Sequence, residues 1–156
     1  MQESAGILLF RGAGAGLELL LVHPGGPWWR AKDEGAWSIP KGECEQGETR
    51  QQCALRELGE ELGPAAPRLE PAELIELGSV RQRAGKVVHG WAAEAEFDPA
   101  QLESQTFTTE WPPRSGVERE FPEVDRAEWM GPERARGKAN PAQAELVDRL
   151  LERLGG

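Results

Sequence analysis

The stretch from Gly42 to Gly63, GECEQGETRQQCALRELGEELG, restricts the fold more than any other part of the chain. It reads as a glycine-bounded acidic turn leading into a helix from about Gly47 to Leu62, which Gly63 and Pro64 end. Ala54, Leu55, Leu58 and Leu62 share one side of that helix, the side that would pack on a sheet. Glu57, Glu60 and Glu61 gather on another. Carboxylates three and four residues apart are neighbours on a helix, and each like-charged pair lowers its stability by roughly a few tenths of a kcal/mol. Two arrangements would offset that repulsion. One is a solvated face with Arg56 as counter-charge; the other is a hard divalent cation, Mg²⁺ or Mn²⁺, which prefers oxygen ligands.

The flanking sequence supplies the sheet. Ser4–Phe10 and Leu17–His23 are apolar runs separated by RGAGAG, which suggests an opening hairpin; those glycines lack a Gly-Lys-Ser/Thr ending and are a turn, not a phosphate loop. Pro24 to Gly35 is a loop rich in glycine and proline, and Trp37 to Pro40 is a short extended piece. Ala72–Gln82 and Lys86–Phe97 alternate as two strands joined at RAG. Asp98 to Asp125 has no period and is expected to be a long irregular insertion. Ala127–Met130 is a short strand, and Pro141–Leu154 an amphipathic terminal helix. Strands before, between and after two helices imply an α/β fold with a mixed sheet covered on both faces. With 156 residues and neither repeat nor linker, residues 1–156 are expected to form a single domain.

Charge narrows the partners. A net charge of −9 repels nucleic acid and acidic membrane over most of the surface, so neither is an expected partner. A phosphate-bearing substrate would need a bridging metal or a local basic patch. No long apolar run or charged-then-apolar leader is visible, which gives no membrane span or signal peptide. Cys44 and Cys53 are too few, and too near the acidic turn, for a disulfide framework; a reducing cytoplasm is the default location.

Gly42, five residues, Glu48, seven residues, then Arg56-Glu57-Leu58-Gly59-Glu60-Glu61-Leu62-Gly63 resembles the signature box of the Nudix hydrolases. Only Pro64, where the box ends on an aliphatic residue, departs from it. The resemblance covers about a seventh of the chain, and the order of elements also resembles the α/β/α sandwich of that family. It implies hydrolysis of a nucleoside diphosphate linked to another group, with Mg²⁺ or Mn²⁺ bridging the phosphates and water attacking phosphorus. Glu57, Glu60 and Glu61 match the family's metal ligands, and Gly42 the glycine whose carbonyl joins them; Glu48 is a weaker ligand candidate. Arg56 would orient the carboxylates through Glu57 or Glu48. Many members use a further glutamate outside the box, and Glu123, six positions before Trp129, has the spacing seen in mutator-type enzymes, with Glu120 and Glu110 behind it.

Substrate choice rests on weaker signals. Lys41 in Pro-Lys-Gly is similar to the box entry of dinucleoside polyphosphate and diphosphoinositol polyphosphate hydrolases, where a lysine would hold an extra phosphate. Arg81, Arg83 and Lys86 cluster at one expected turn and would form the basic patch. The chain has no tyrosine, so base stacking would fall to Trp28, Trp29, Phe107 or Trp111, whereas Trp37, Trp91 and Trp129 are expected in the core. RQRAGKVVHGW, EWPPRSG and FPEVDRAEW resemble a bacterial Nudix subgroup described as NTP pyrophosphohydrolases. The leading expectation is a diphosphohydrolase of nucleoside polyphosphates, dinucleoside or mononucleoside. The alternatives are a pyrophosphatase for ADP-ribose or nucleotide sugars, and a non-catalytic Nudix-fold nucleotide sensor.

Overall fold

Two central strands carry almost no polar side chain, and that alone demands cover on both faces. β1 (Glu3–Arg11) is buried from Ser4 to Phe10, and β2 (Glu18–Pro24) from Leu19 to His23. The computed structural model describes residues 3–155 and supplies that cover. Side chains alternate along β1: Ala5, Ile7 and Leu9 join one core, Leu8 and Phe10 the other. The first core is closed by α1 (Arg50–Leu62) through Cys53, Ala54, Leu58 and Leu62. The second is closed by α2 (Pro132–Lys138) and α3 (Ala144–Arg153) through Ala135, Leu146, Val147 and Leu150.

The remaining strands are β3 (Lys41–Glu43), β4 (Ile75–Arg81), β5 (Val87–Glu94) and β8 (Val124–Met130), with β6 (Thr106–Glu110) and β7 (Glu118–Pro122) apart from them. The main sheet runs β4-β5-β1-β2-β8, with β1 parallel to β5 and the other neighbours antiparallel. One edge of β1 is shared: Ser4 to Gly6 pair with β3, while Phe10 and Arg11 pair with β2. This is the expected α/β sandwich with a mixed sheet between helices. Among the described residues no helix is long and apolar enough to cross a membrane.

Three expectations need correction. Residues 98–125 are not irregular, because β6 and β7 pair from Thr106↔Pro122 to Glu110↔Glu118 as a separate hairpin. The hairpin packs Phe107 against Phe121, half-buries Thr109 and leaves its other positions exposed, which is why the residues show no fully buried period. A helix, α2, precedes the terminal one; Pro132 at its first turn and the small residue Ala135 start it without an apolar stripe. Finally, Cys44 and Cys53 form a disulfide, their Cα atoms 5.2 Å apart, because β3 runs directly against the first turns of α1.

Candidate active site

Helix α1 begins three residues later than its acidic entry suggests. Thr49 accepts from the Gln52 N–H at 3.1 Å, and Gln52 accepts from the Thr49 N–H at 2.9 Å, a reciprocal cap that fixes the start. Everything upstream to Gly42 is therefore free to fold back over the helix.

Gly42 is where that return comes closest. A Cβ built on Gly42 would overlap the carboxylate of Glu57, so only glycine lets this strand lie over that side chain. Glu57 is buried, and burial, reinforced by Glu60, pushes its pKa up to about 7 against the pull of Arg56. Glu61 accepts the backbone N–H of Lys41 at 3.1 Å. Burial raises its pKa as well, with Glu57 and Glu123 adding to the rise and Lys41 opposing it. The Lys41 ammonium is shifted down, first by burial and then by Lys86, although Glu61 works the other way.

Arg56 spreads one guanidinium over three carboxylates. Its Nε and Nη2 donate to the two oxygens of Glu48 at 2.7 and 2.9 Å, and Nη1 donates to Glu60 at 3.1 Å and lies 3.6 Å from Glu57. Nη2 also donates to the Glu43 carbonyl at 3.0 Å, tying the acidic turn to the helix. The fork holds Glu48 down at about 2, which makes Glu48 the dedicated counter-charge and leaves Glu57 with the weaker contact.

Backbone hydrogen bonds bring Glu123 to the same place. At the end of α1 the Glu103 N–H donates to Leu62 O and the Gln105 N–H to Glu60 O, while Gln105 O in turn accepts from the Glu123 N–H at 2.8 Å. Partial burial and then Glu60 raise the Glu123 pKa, so its carboxylate is within electrostatic reach of the box. Glu120 and Glu110 are elsewhere. Glu120 accepts from the Thr106 hydroxyl, and Glu110 accepts the Arg114 and Gly116 N–H groups at the hairpin tip.

Among the described residues, no three acidic, histidine or cysteine side chains are gathered into a cation-binding group; Arg56 and the Lys41 N–H engage the carboxylates instead. The donor set nevertheless fits a hard divalent ion: Glu57, Glu60 and Glu61 supply oxygen only, beside a glycine carbonyl with no side chain in the way.

Next to these carboxylates lies a cavity of about 230 Å³, lined by Lys41, Glu61 and Glu123 on one wall and by Gln82, Asn140 and Gln143 on another, with Trp29 also in its lining. Of the expected basic patch, only Lys86 lines it; Arg81 and Arg83 do not. Trp28 and Trp111 are likewise absent from its walls. They meet each other instead, edge to face with centroids 5.7 Å apart, where the loop after β2 touches the β6–β7 hairpin. Trp28 is 51% exposed and Trp29 39%, while Trp37 and Trp91 are buried as expected and Trp129 is half-buried.

The sequence reading missed the opposite wall entirely. Gln143 is 1% exposed, and a signal for it exists: with Leu146, Val147 and Leu150 it completes a stripe at i, i+3, i+4 and i+7. A polar residue on a buried stripe needs partners. His23 was missed too: it is fully buried, with Asp125 at 2.9 Å from Nδ1 and the Lys32 carbonyl at 2.7 Å from Nε2, and so ties the Trp28–Trp29 loop to β8.

Comparison with known proteins shows what the chain and its fold are similar to. The model of the NUDIX domain matches residues 1–150. Among solved structures, an Ap4A hydrolase binary complex from C. elegans superposes with a TM-score of 0.66 at 21% identity, covering 98% of each chain. The NUDIX domain of Shewanella oneidensis NrtR, complexed with ADP ribose, gives 0.64 at 17% identity, covering 97% of this chain and 87% of that one. A MutT/nudix family protein from Enterococcus faecalis gives 0.55 at 18%, covering 83% of this chain and 43% of that one.

Proposed function

The chain belongs to the Nudix hydrolase family, and from that premise we propose that it hydrolyses a diphosphate linkage in a nucleoside polyphosphate, dinucleoside or mononucleoside, with Mg²⁺ or Mn²⁺ held by Glu57, Glu60, Glu61 and the Gly42 carbonyl. The observation that carries this reading is the fit of Glu57 beneath a glycine that no other residue could replace, at the point where Glu60 and Glu123 add to the raised pKa of Glu57, and Glu57 and Glu123 to that of Glu61.

The bound ion would neutralise charge on the diphosphate and make a water acidic enough to attack phosphorus. The protein's own groups supply the rest. Arg56, locked on Glu48, keeps Glu57 and Glu60 from splaying apart. Glu123 sits outside the helix with a raised pKa, suited to take the proton of an attacking water. Lys41 and Lys86 place two ammonium groups in the adjoining cavity of an otherwise acidic protein, where they would receive phosphates.

A second reading, hydrolysis or binding of ADP-ribose, draws on the likeness to the domain complexed with ADP ribose. A product-resolved screen of diadenosine tetraphosphate, nucleoside triphosphates and ADP-ribose with Mg²⁺ or Mn²⁺ separates the two. Cleavage of the polyphosphates with release of a nucleotide supports the first; turnover of ADP-ribose alone overturns it.

A further inference from the structure

The amide wall of the cavity has a fixed polarity. Gln143 must turn its Oε1 toward the Ile39 N–H, which donates to it at 2.9 Å, because a backbone N–H can only donate. Its Nε2 is thereby committed to two acceptors, Ser38 Oγ at 3.1 Å and Gln82 Oε1 at 2.9 Å. The Ser38 hydroxyl spends its own proton on the Ile39 carbonyl at 2.7 Å, so its oxygen is available to accept. Each link forces the next. Gln82 is left with Nε2 as its unspent end. Asn140 reaches the same result separately, since its Oδ1 accepts the Ala142 N–H at 3.0 Å and its Nδ2 remains. Both residues line the cavity, whose volume of about 230 Å³ suits a ring system better than a whole nucleotide with its phosphates, and Trp29, 39% exposed, adds an aromatic side chain to its lining.

We propose that this wall reads the substrate's nucleobase and selects a base with a carbonyl at the position where adenine and cytosine carry an amino group. This rests on the nucleoside polyphosphate reading above and deepens it. Two amide N–H₂ groups can both be satisfied by the O6 and N7 of a 6-oxopurine, or in part by the O4 of a 4-oxopyrimidine. Adenine alternates acceptor and donor along that edge, so one amide would face another N–H₂ and stay unpaired. A site built on hydrogen bonds discriminates strongly for this reason. Gln143, which touches no base in this scheme, is the positioning residue that sets the direction of Gln82.

The test compares kcat/KM for GTP, ITP, UTP, ATP and CTP with Mg²⁺, alongside calorimetric binding of the same five. GTP and ITP are expected to exceed ATP, and UTP to exceed CTP, by roughly ten- to a hundredfold; GTP against ITP isolates any part played by the 2-amino group, and the purine and pyrimidine pairs show which ring the cavity takes. Gln82→Glu and Asn140→Asp each keep the internal acceptor oxygen and replace the outward N–H₂ with an acceptor. Both should shift the GTP-to-ATP ratio toward ATP with little change in melting temperature. Since the added charge near Glu61 and Glu123 affects every nucleotide alike, the ratio is the readout. Ratios near one in the unaltered protein, or ratios that neither variant moves, overturn the proposal while leaving polyphosphate hydrolysis standing. If none of the five is cleaved, the mononucleoside form of that reading fails while the dinucleoside form stands or falls on diadenosine tetraphosphate, and the binding ratios still decide base selection.

Discussion

One cavity has two walls built on opposite terms. The carboxylate wall is electrostatically unfinished: Glu61 lines the cavity and, like Glu57 beyond the lining, carries a raised pKa, and a single arginine, also outside the lining, serves Glu48, Glu57 and Glu60. The amide wall is finished: Gln143, Ser38 and Gln82 satisfy one another and the Ile39 backbone in a closed chain of hydrogen bonds. An unfinished wall stores repulsion that a ligand can relieve, whereas a finished one presents a fixed pattern. The first suits chemistry and the second suits selection.

The sharpest way to break this contrast is to remove charge from the first wall. Glu60→Gln or Glu61→Gln should cut kcat roughly a hundred- to a thousandfold, the loss expected when one electrostatic contact to a transition state disappears. The metal-free variants should melt no lower than the unaltered protein, because an amide keeps the shape and relieves like-charge repulsion. Near-normal turnover at saturating Mg²⁺ would remove these glutamates from the metal site.

Lys41→Met probes the boundary between the walls. If its ammonium holds a phosphate remote from the cleaved bond, kcat/KM should fall by about 1.5–3 kcal/mol for diadenosine tetraphosphate and much less for ADP-ribose. A uniform loss across substrates would instead assign Lys41 to neutralising Glu61, which its backbone N–H already contacts.

pH separates stored repulsion from its relief. Glu57 titrates near 7 in the folded protein against 4.5 ordinarily, so between those values the folded state keeps a proton that the unfolded chain has released. Stability of the metal-free protein should therefore fall as pH rises from about 4.5 to about 7 and, because Glu61 is raised to about 8, go on falling to about pH 8. A cation binds the ionised carboxylates, so the rise in melting temperature on adding Mg²⁺ should grow over the same window, at about 2–4 °C per kcal/mol for a chain of this size. An equal shift at about pH 5 and about pH 8 would argue that Mg²⁺ binds elsewhere.

The same contrast explains what the sequence made legible. Glu57, Glu60 and Glu61 lie on one helix, so their proximity follows from spacing alone, and Gly42 follows from the box they belong to. Glu123 was accessible through its distance from Trp129. The amide wall draws Ser38, Gln82, Asn140 and Gln143 from four separate segments that meet only once the sheet is assembled, and no spacing records such a meeting. Arg81 and Arg83 show the converse error: adjacency in sequence suggested one patch, yet across the β4–β5 turn only Gln82 and Lys86 reach the cavity. The hairpin at 106–122 escaped because a strand pair with little buried surface has no apolar alternation to detect.

That hairpin yields the smallest effect and the last test. Glu110 and Glu123 were both candidates for the acid beyond the helix, and the structure gives them different work. Glu110 uses one oxygen for the Arg114 N–H at 2.9 Å and the other for the Gly116 N–H at 3.0 Å, closing a turn in which Arg114 takes a φ of 63° that side chains rarely adopt. Glu110→Gln removes one of those acceptors, and at an exposed site the loss should be about 0.5–1.5 kcal/mol, felt as local fraying of the hairpin and not as global unfolding. Amide exchange of residues 106–122 should accelerate while kcat/KM stays within about twofold of the unaltered protein. Glu123→Gln should do the reverse, leaving the hairpin protected and depressing kcat, with the pH dependence of kcat losing one ionisation. Were Glu110→Gln to lower kcat as Glu123→Gln does, the hairpin would have to fold over the substrate during turnover, and the division between a rigid selecting wall and a charged reacting wall would have to admit a third, moving one.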